Sequence, residues 1–157
     1  MLGNASVPGG RLNEKDLVLT VGNPLRQDDG VGFYVCEKLS EAGKLRVFHT
    51  DGDPSIGLNL AESFRPERLI VIDGADFGGK PGEVRTISPE ELGDVFLSTH
   101  EIPISVLGEL IERDFGCAVL YIGIQVVQVG YGVGIHPEVL RGADELLVSL
   151  GKHQGGV

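Results

Sequence analysis

At 157 residues the chain has the length of one domain able to bury a real core and is too short for two ordinary ones. Hydrophobic residues make up 41% and charged residues 23%, the balance of an ordinary globular protein. Asp and Glu number 23 against 13 Lys and Arg, so a net charge of −10, no Trp and no basic stripe argue against nucleic acid as a partner.

Cys36 and Cys117 form no Cys-x-x-Cys unit, so buried free thiols are expected rather than a disulfide framework or a Cys-rich zinc site. Met1 to Asp16 holds no apolar core of signal-peptide length, and no apolar run approaches the roughly 20 residues that span a bilayer. The expectation is a cytoplasmic protein without membrane insertion, and a monomer.

Residues 1–15 read as a flexible lead-in, 16–151 as one α/β domain and 152–157 as a tail. Leu17 to Val21 is a short β-rich run ending at Gly22-Asn23-Pro24, a buried first strand. From Val31 to about Ala42 the apolar positions Val31, Val35 and Leu39 mark one helix face, stopped by Gly43. Leu45 to His49 is the second strand, followed by the turn Asp51-Gly52-Asp53-Pro54, and a helix covers Gly57 to Phe64. Leu69 to Ile72 is apolar at every position, as a strand covered on both faces requires.

The Gly-rich stretch Gly74 to Gly82 leads to a fourth strand, Glu83 to Ile87. The loop is too short for a helical crossover, so this strand is expected antiparallel to the third. Ile102 to Phe115 reads as a helix with Pro103 in its first turn. Ala118 to Val127 is the fifth strand and Pro137 to Leu150 the last helix. The alternation implies a three-layer α/β/α sandwich around a mixed, mostly parallel five-stranded sheet. Ligand sites in such a sheet gather at the carboxyl ends of the strands. Asp28 and Asp29 follow strand one, Asp51 and Asp53 strand two, Asp73 and Asp76 strand three, so that rim is acidic.

Several familiar motifs fail on mechanism. Gly74 to Lys80 has phosphate-loop spacing, but Pro81 stands where a hydroxyl should hold magnesium, and a surface turn is expected. Gly130-Tyr131-Gly132-Val133-Gly134 lacks the last glycine of a dinucleotide loop and is read as flexible backbone. His100-Glu101 opens like a helical zinc motif, yet Ile104 takes the second His position. No Gly-x-Ser-x-Gly elbow occurs.

Gly22-Asn23-Pro24-Leu25-Arg26-Gln27-Asp28-Asp29-Gly30-Val31-Gly32 is longer than an acidic helix cap requires. It resembles the signature of the hydrogenase maturation proteases: Gly-Asn, four residues, an acidic pair, then glycines. Three more phrases follow in the same order. Leu69 to Ala75 resembles the strand-three segment ending in an acidic residue. Ser98-Thr99-His100-Glu101-Ile102-Pro103 is similar to the histidine segment, above all in the branch serving formate-linked hydrogenases, and Tyr121-Ile122-Gly123-Ile124-Gln125 to that branch's strand-five phrase. The chain departs at Asp51-Gly52-Asp53, where the family shows Asp-Gly-Gly.

The resemblance implies an endopeptidase that removes the C-terminal extension of a nickel–iron hydrogenase large-subunit precursor after nickel insertion. By position, Asp29, Asp73 and His100 become the metal ligands and catalytic residues, with nickel presented by the substrate, Zn or Cd as surrogates, and no organic cofactor. Two carboxylates and an imidazole suit such ions and leave open coordination positions. Whether a carboxylate or the metal activates water stays open. Asp28 is expected to cap the following helix or support Asp29, and His49, His136 and His153 receive no role. Two rival readings are a non-catalytic nickel-sensing chaperone using the same side chains and a phosphate-handling enzyme such as a nucleoside phosphorylase. The second would want cations at an anion site, where this rim is acidic.

Overall fold

The computed structural model describes residues 10–41, 43–97 and 103–151. In chain order the elements are β1 (Asp16–Val21), α1 (Val31–Ser40), β2 (Arg46–Thr50), α2 (Ile56–Phe64), β3 (Arg68–Ala75), β4 (Val84–Thr86), α3 (Leu92–Val95), α4 (Ile104–Phe115), β5 (Ala118–Gln125) and α5 (Pro137–Ser149), with a 3-10 turn at Gln27–Gly30. The sheet order is β2-β1-β3-β5-β4. All neighbours run parallel except β4, which is antiparallel to β5. The expected mixed, mostly parallel sheet is therefore present.

Strand periodicity sorts the core into two clusters. Val18, Ile70, Ile72, Ile122 and Ile124 face α1 and α5, meeting Val31, Val35, Leu39, Val139, Ala143 and Leu146. Leu17, Leu19, Leu69, Val71 and Tyr121 face the other way, toward Ala61 of α2, Leu92 of α3 and Ile111 of α4. Helices thus cover both faces, giving three layers. Each fully buried Leu or Ile contributes roughly 1.5–3 kcal/mol of transfer free energy, which explains why β1, β3 and β5 read as continuous apolar runs.

At the amino ends of the strands, register partners Asp16, buried, and Arg68, partly exposed, form a two-point ion pair of 2.8 and 3.1 Å. Leu12, just before β1, donates to the carbonyl of Leu150. That edge is closed by structure, which leaves the carboxyl edge for chemistry.

Four expectations need correction. The fourth strand runs opposite to β3 as expected but pairs with β5, because the turn at 76–83 carries the chain past β5 to the sheet edge. The fifth strand stops at Gln125, since the Val127 N–H leaves the ladder for the Asp28 carboxylate. Pro103 is the N-cap of α4, one position before its first helical residue. The single-turn helix α3 has too few residues to show a period and was not anticipated. Both cysteines are free as expected, although Cys36 is only half-buried. Among the described residues, no helix is long and apolar enough to cross a membrane.

Candidate active site

The loop after β1 folds back onto its own strand because three glycines permit backbone to touch backbone. Gly22 leaves the strand at φ 140°, and a Cβ there would collide with the carbonyl oxygen of Asp29. A Cβ on Gly30 would lie 2.8 Å from the Pro24 Cα, and one on Gly32 would strike the Val21 carbonyl oxygen. The Asn23 side chain accepts from the Leu25 N–H at 2.9 Å, closing an Asx turn. Gln27 takes the left-handed conformation, φ 53°, to start the 3-10 turn. Gly22, Gly30 and Gly32 therefore answer a local steric demand.

This closure separates the acidic pair. Asp28 is fully buried and its carboxylate accepts three backbone N–H groups: Val127 at 2.8 Å, Gln128 at 2.9 Å and His136 at 2.8 Å. It caps neither the 3-10 turn nor α1, which overturns the capping expectation. It anchors the loop after β5 instead. Asp29 is 7% exposed, and one oxygen, Oδ2, accepts from the Asn23 N–H at 3.1 Å. Its Oδ1 is buried with no hydrogen-bond partner among the described residues. Burial raises the Asp29 pKa above its ordinary value, and the Asn23 N–H, Arg26 and His49 oppose that rise. A buried carboxylate oxygen with an unused lone pair is a vacancy that a cation or a reacting proton can fill.

Asp73 lies fully buried near the end of β3, in register with Val21 of β1 and Gly123 of β5. A Cβ on the next residue, Gly74, would lie 3.5 Å from the Asp28 carbonyl oxygen, so the acidic loop passes over the carboxyl end of β3. The place is the crevice between β1 and β3, where the strand order reverses and open α/β sheets bind ligands. Two of the three expected residues, Asp29 and Asp73, thus both lie at the carboxyl edge of the sheet. The third, His100, lies outside the described residues. Among those described, no three His, Cys, Asp or Glu side chains assemble as a metal set. The two carboxylates, with the open Oδ1 of Asp29, suit a divalent cation in chemistry and burial.

Two histidines given no role from sequence have one. His49 Nε2 donates to the Gly22 carbonyl at 2.9 Å and lies 3.0 Å from an Asp51 oxygen, while Nδ1 meets the Thr20 hydroxyl at 2.8 Å. His136 caps α5, its Nδ1 accepting the Glu138 N–H at 3.1 Å. The only local cue was His136-Pro137 before an amphipathic run. The Gly130–Gly134 stretch is not slack backbone. Gly132 exchanges bonds with the acidic loop, its N–H reaching Leu25 and its carbonyl receiving Gln27, at 2.8 and 2.9 Å. The surface turn expected over Gly74 to Lys80 begins at Asp76, because Gly74 and Ala75 are buried in β3.

The Gln125 side chain organises that turn, accepting from Phe77 and Gly79 at 2.9 and 3.0 Å and donating to Asp76 at 3.1 Å. Beyond β2, Asp53 closes the turn that departs from Asp-Gly-Gly. Its N–H donates to the Thr50 hydroxyl, and its carboxylate accepts the Ser55 N–H.

The family model described as hydrogenase maturation protease (HycI) matches residues 36–150, a span containing Asp73 and His100 and starting just beyond Asp29. The chain is 35% identical to the hydrogenase 3 maturation protease of Escherichia coli K12 over 119 residues, 74% of this chain and 76% of that one. The solution structure of the endopeptidase HycI from Escherichia coli superposes with a TM-score of 0.75 at 30% identity, covering 88% of this chain and 90% of that one. A [NiFe] hydrogenase maturation protease HycI from Thermococcus kodakarensis, at 22% identity, shares the fold over 100% of both chains with a TM-score of 0.78.

Proposed function

The chain belongs to the hydrogenase maturation protease family, and on that premise we propose that it is an endopeptidase removing the C-terminal extension of a nickel–iron hydrogenase large-subunit precursor. The observation that carries the reading is the buried Asp29 carboxylate with an open Oδ1, held in the loop that closes over the carboxyl end of β1, the sheet edge at which Asp73 also lies, near the end of β3. Residues 16–151 act as the peptidase unit, working in the cytoplasm.

Nickel is cargo of the precursor in this reading. Asp29, Asp73 and His100 receive it, and Zn or Cd would serve as stand-ins. A divalent cation at two carboxylates and an imidazole can polarise a carbonyl or lower the pKa of water. The chain supplies placement. Gly22, Gly30 and Gly32 bring Asp29 over the strand end, and Asn23 fixes one carboxylate oxygen so that the other faces its ligand. Holding the scissile bond at that point turns docking into catalysis, because a fixed encounter replaces a bimolecular one. A precursor without nickel lacks the charge that would hold it there.

The test is a mass measurement of purified precursor, with and without nickel, after mixing with the protein. Loss of one C-terminal peptide from the nickel form alone is the expected result. Equal cleavage of both forms refutes the nickel checkpoint. Binding without cleavage would support the nickel-sensing chaperone reading instead.

A further inference from the structure

Seven large hydrophobic residues are exposed among those described, and four of them, Leu25, Val127, Tyr131 and Val133, sit on just two loops. Phe64, Val106 and Val148 lie singly on α2, α4 and α5. Tyr131 is 90% exposed, Val133 79% and Leu25 62%, a large apolar offering for a small protein.

The two loops are one rigid unit. Gly132 and Arg26 form a parallel bridge, the Gly130 N–H donates to the Gln27 side chain at 2.8 Å, and the Asp28 N–H donates to the Gln128 carbonyl at 3.1 Å. Buried Asp28 ties the far side down through three further bonds. Apolar side chains held outward on a fixed backbone lose little entropy when something covers them.

The strip is also continuous with the candidate active site. The Asp29 N–H donates to the Arg26 carbonyl at 3.1 Å, and the Arg26 guanidinium lies 5.6 Å from the centre of the Tyr131 ring. Residues 24–27 and 127–136 contain no acidic side chain, on a chain whose net charge is −10. A precursor reaching this rim would find carboxylates for its cation and, alongside, a ledge free of acidic side chains that carries one arginine.

We propose that Leu25, Tyr131 and Val133, braced by Arg26, form a docking ledge for an apolar stretch of the large-subunit precursor next to the scissile bond. The proposal rests on the processing reading for its occupant. Arg26 is hydrogen-bonded to Asp29 and lies against the Tyr131 ring, so residues flanking a peptide bond held at Asp29 come within reach of the ledge, which favours that segment as the occupant over a second copy of this chain.

Two measurements on the nickel-loaded precursor test it: steady-state processing, and surface plasmon resonance, which needs no cleavage. The variants are Tyr131→Ser with Val133→Ser, Leu25→Ser, the conservative Tyr131→Phe, and Val148→Ser as an exposed apolar control on α5. The serine variants are expected to raise KM and Kd tenfold or more with kcat within twofold, while Tyr131→Phe and Val148→Ser stay near wild type. Unchanged Kd in the serine variants, or a loss confined to kcat, overturns the ledge. If the wild type binds the precursor without cutting it, the processing reading falls and the Kd series still judges the ledge. If the wild type does not bind, the ledge falls as well. An unchanged melting temperature in each variant shows that any loss belongs to the surface.

Discussion

The carboxylate of Asp28 and the backbone N–H of His136, 108 positions apart in the chain, meet at 2.8 Å inside the protein. With Val127 and Gln128 on its other oxygen, Asp28 is a sealed three-point anchor. Asp28→Asn leaves one oxygen to accept and sets an amide NH2 against backbone N–H groups. Stability should fall by about 2–3 kcal/mol, the cost of a buried donor left unsatisfied together with a lost charge-assisted bond. Urea denaturation of wild type and variant measures this. A change under about 0.5 kcal/mol, the size of an ordinary surface substitution, would show that Asp28 is no anchor.

Asp29 should behave in the opposite way. Burial raises its pKa in the folded protein, so the folded state disfavours its charge. The unfolded carboxyl titrates near ~3.9, and stability is lost as pH rises from there through the folded pKa. Asp29→Asn removes that loss. It should abolish cleavage and yet raise the melting temperature at pH 7.5, with the gain shrinking as the pH falls toward the pKa of the unfolded carboxyl. A constant gain, or a destabilised variant, contradicts this account.

The contrast between these neighbours marks what could be read from sequence. β3 was legible because a strand buried on both faces must be apolar along its core, and α1 because Val31, Val35 and Leu39 keep a helical spacing. The Gly22–Gly32 signature was legible because close backbone approach admits only glycine at set places. The pairing of β4 with β5 was not, since a three-residue edge strand carries little pattern. Asp28's role depends on N–H groups 99 to 108 positions away, and no local spacing encodes these. His49 acts through Thr20 and Gly22, joined to it only by the β1–β2 register.

Glycine substitutions test the closure of the loop. A Cβ on Gly32 would strike the Val21 carbonyl, which is backbone at the end of a central strand and cannot yield. Gly32→Ala should cost about 3 kcal/mol or more, or fail to give soluble protein. Gly52 has open space around its Cβ position and no left-handed φ, so Gly52→Ala should be neutral. Similar melting temperatures for the two variants would mean that α1 can shift away from β1.

The ligand set is tested by metal affinity. Asp73→Asn and His100→Ala each remove one proposed donor, so calorimetric titration of Ni or Zn at pH 7.5 should show affinity weakened by about tenfold or more. Wild-type affinity in either variant removes that residue from the set.

The Thr20–His49 pair gives the last prediction. Nε2 of His49 faces the Gly22 carbonyl and the Asp51 carboxylate, both acceptors only, so it must carry a proton. Nδ1 lies 2.8 Å from the Thr20 hydroxyl, which also reaches the Phe48 carbonyl at 3.4 Å. Fully buried Thr20 thereby orients the imidazole, and the imidazole holds the Gly22 carbonyl, whose Cα packs beneath the Asp29 backbone. His49→Phe keeps a ring against Phe33, now 5.1 Å away edge-on, while deleting both nitrogens. Thr20→Val deletes only the hydroxyl. Each should cost about 1–2 kcal/mol, and because they cut the same chain of bonds, the double variant should fall short of the sum by about 1 kcal/mol. A melting series over the four proteins closes this cycle. Full additivity would show that the two residues act separately. Since Gly22 supports Asp29, His49→Phe should also lower kcat for the nickel-loaded precursor more than it raises KM; a change in KM alone would place His49 in substrate docking rather than in the support of Asp29.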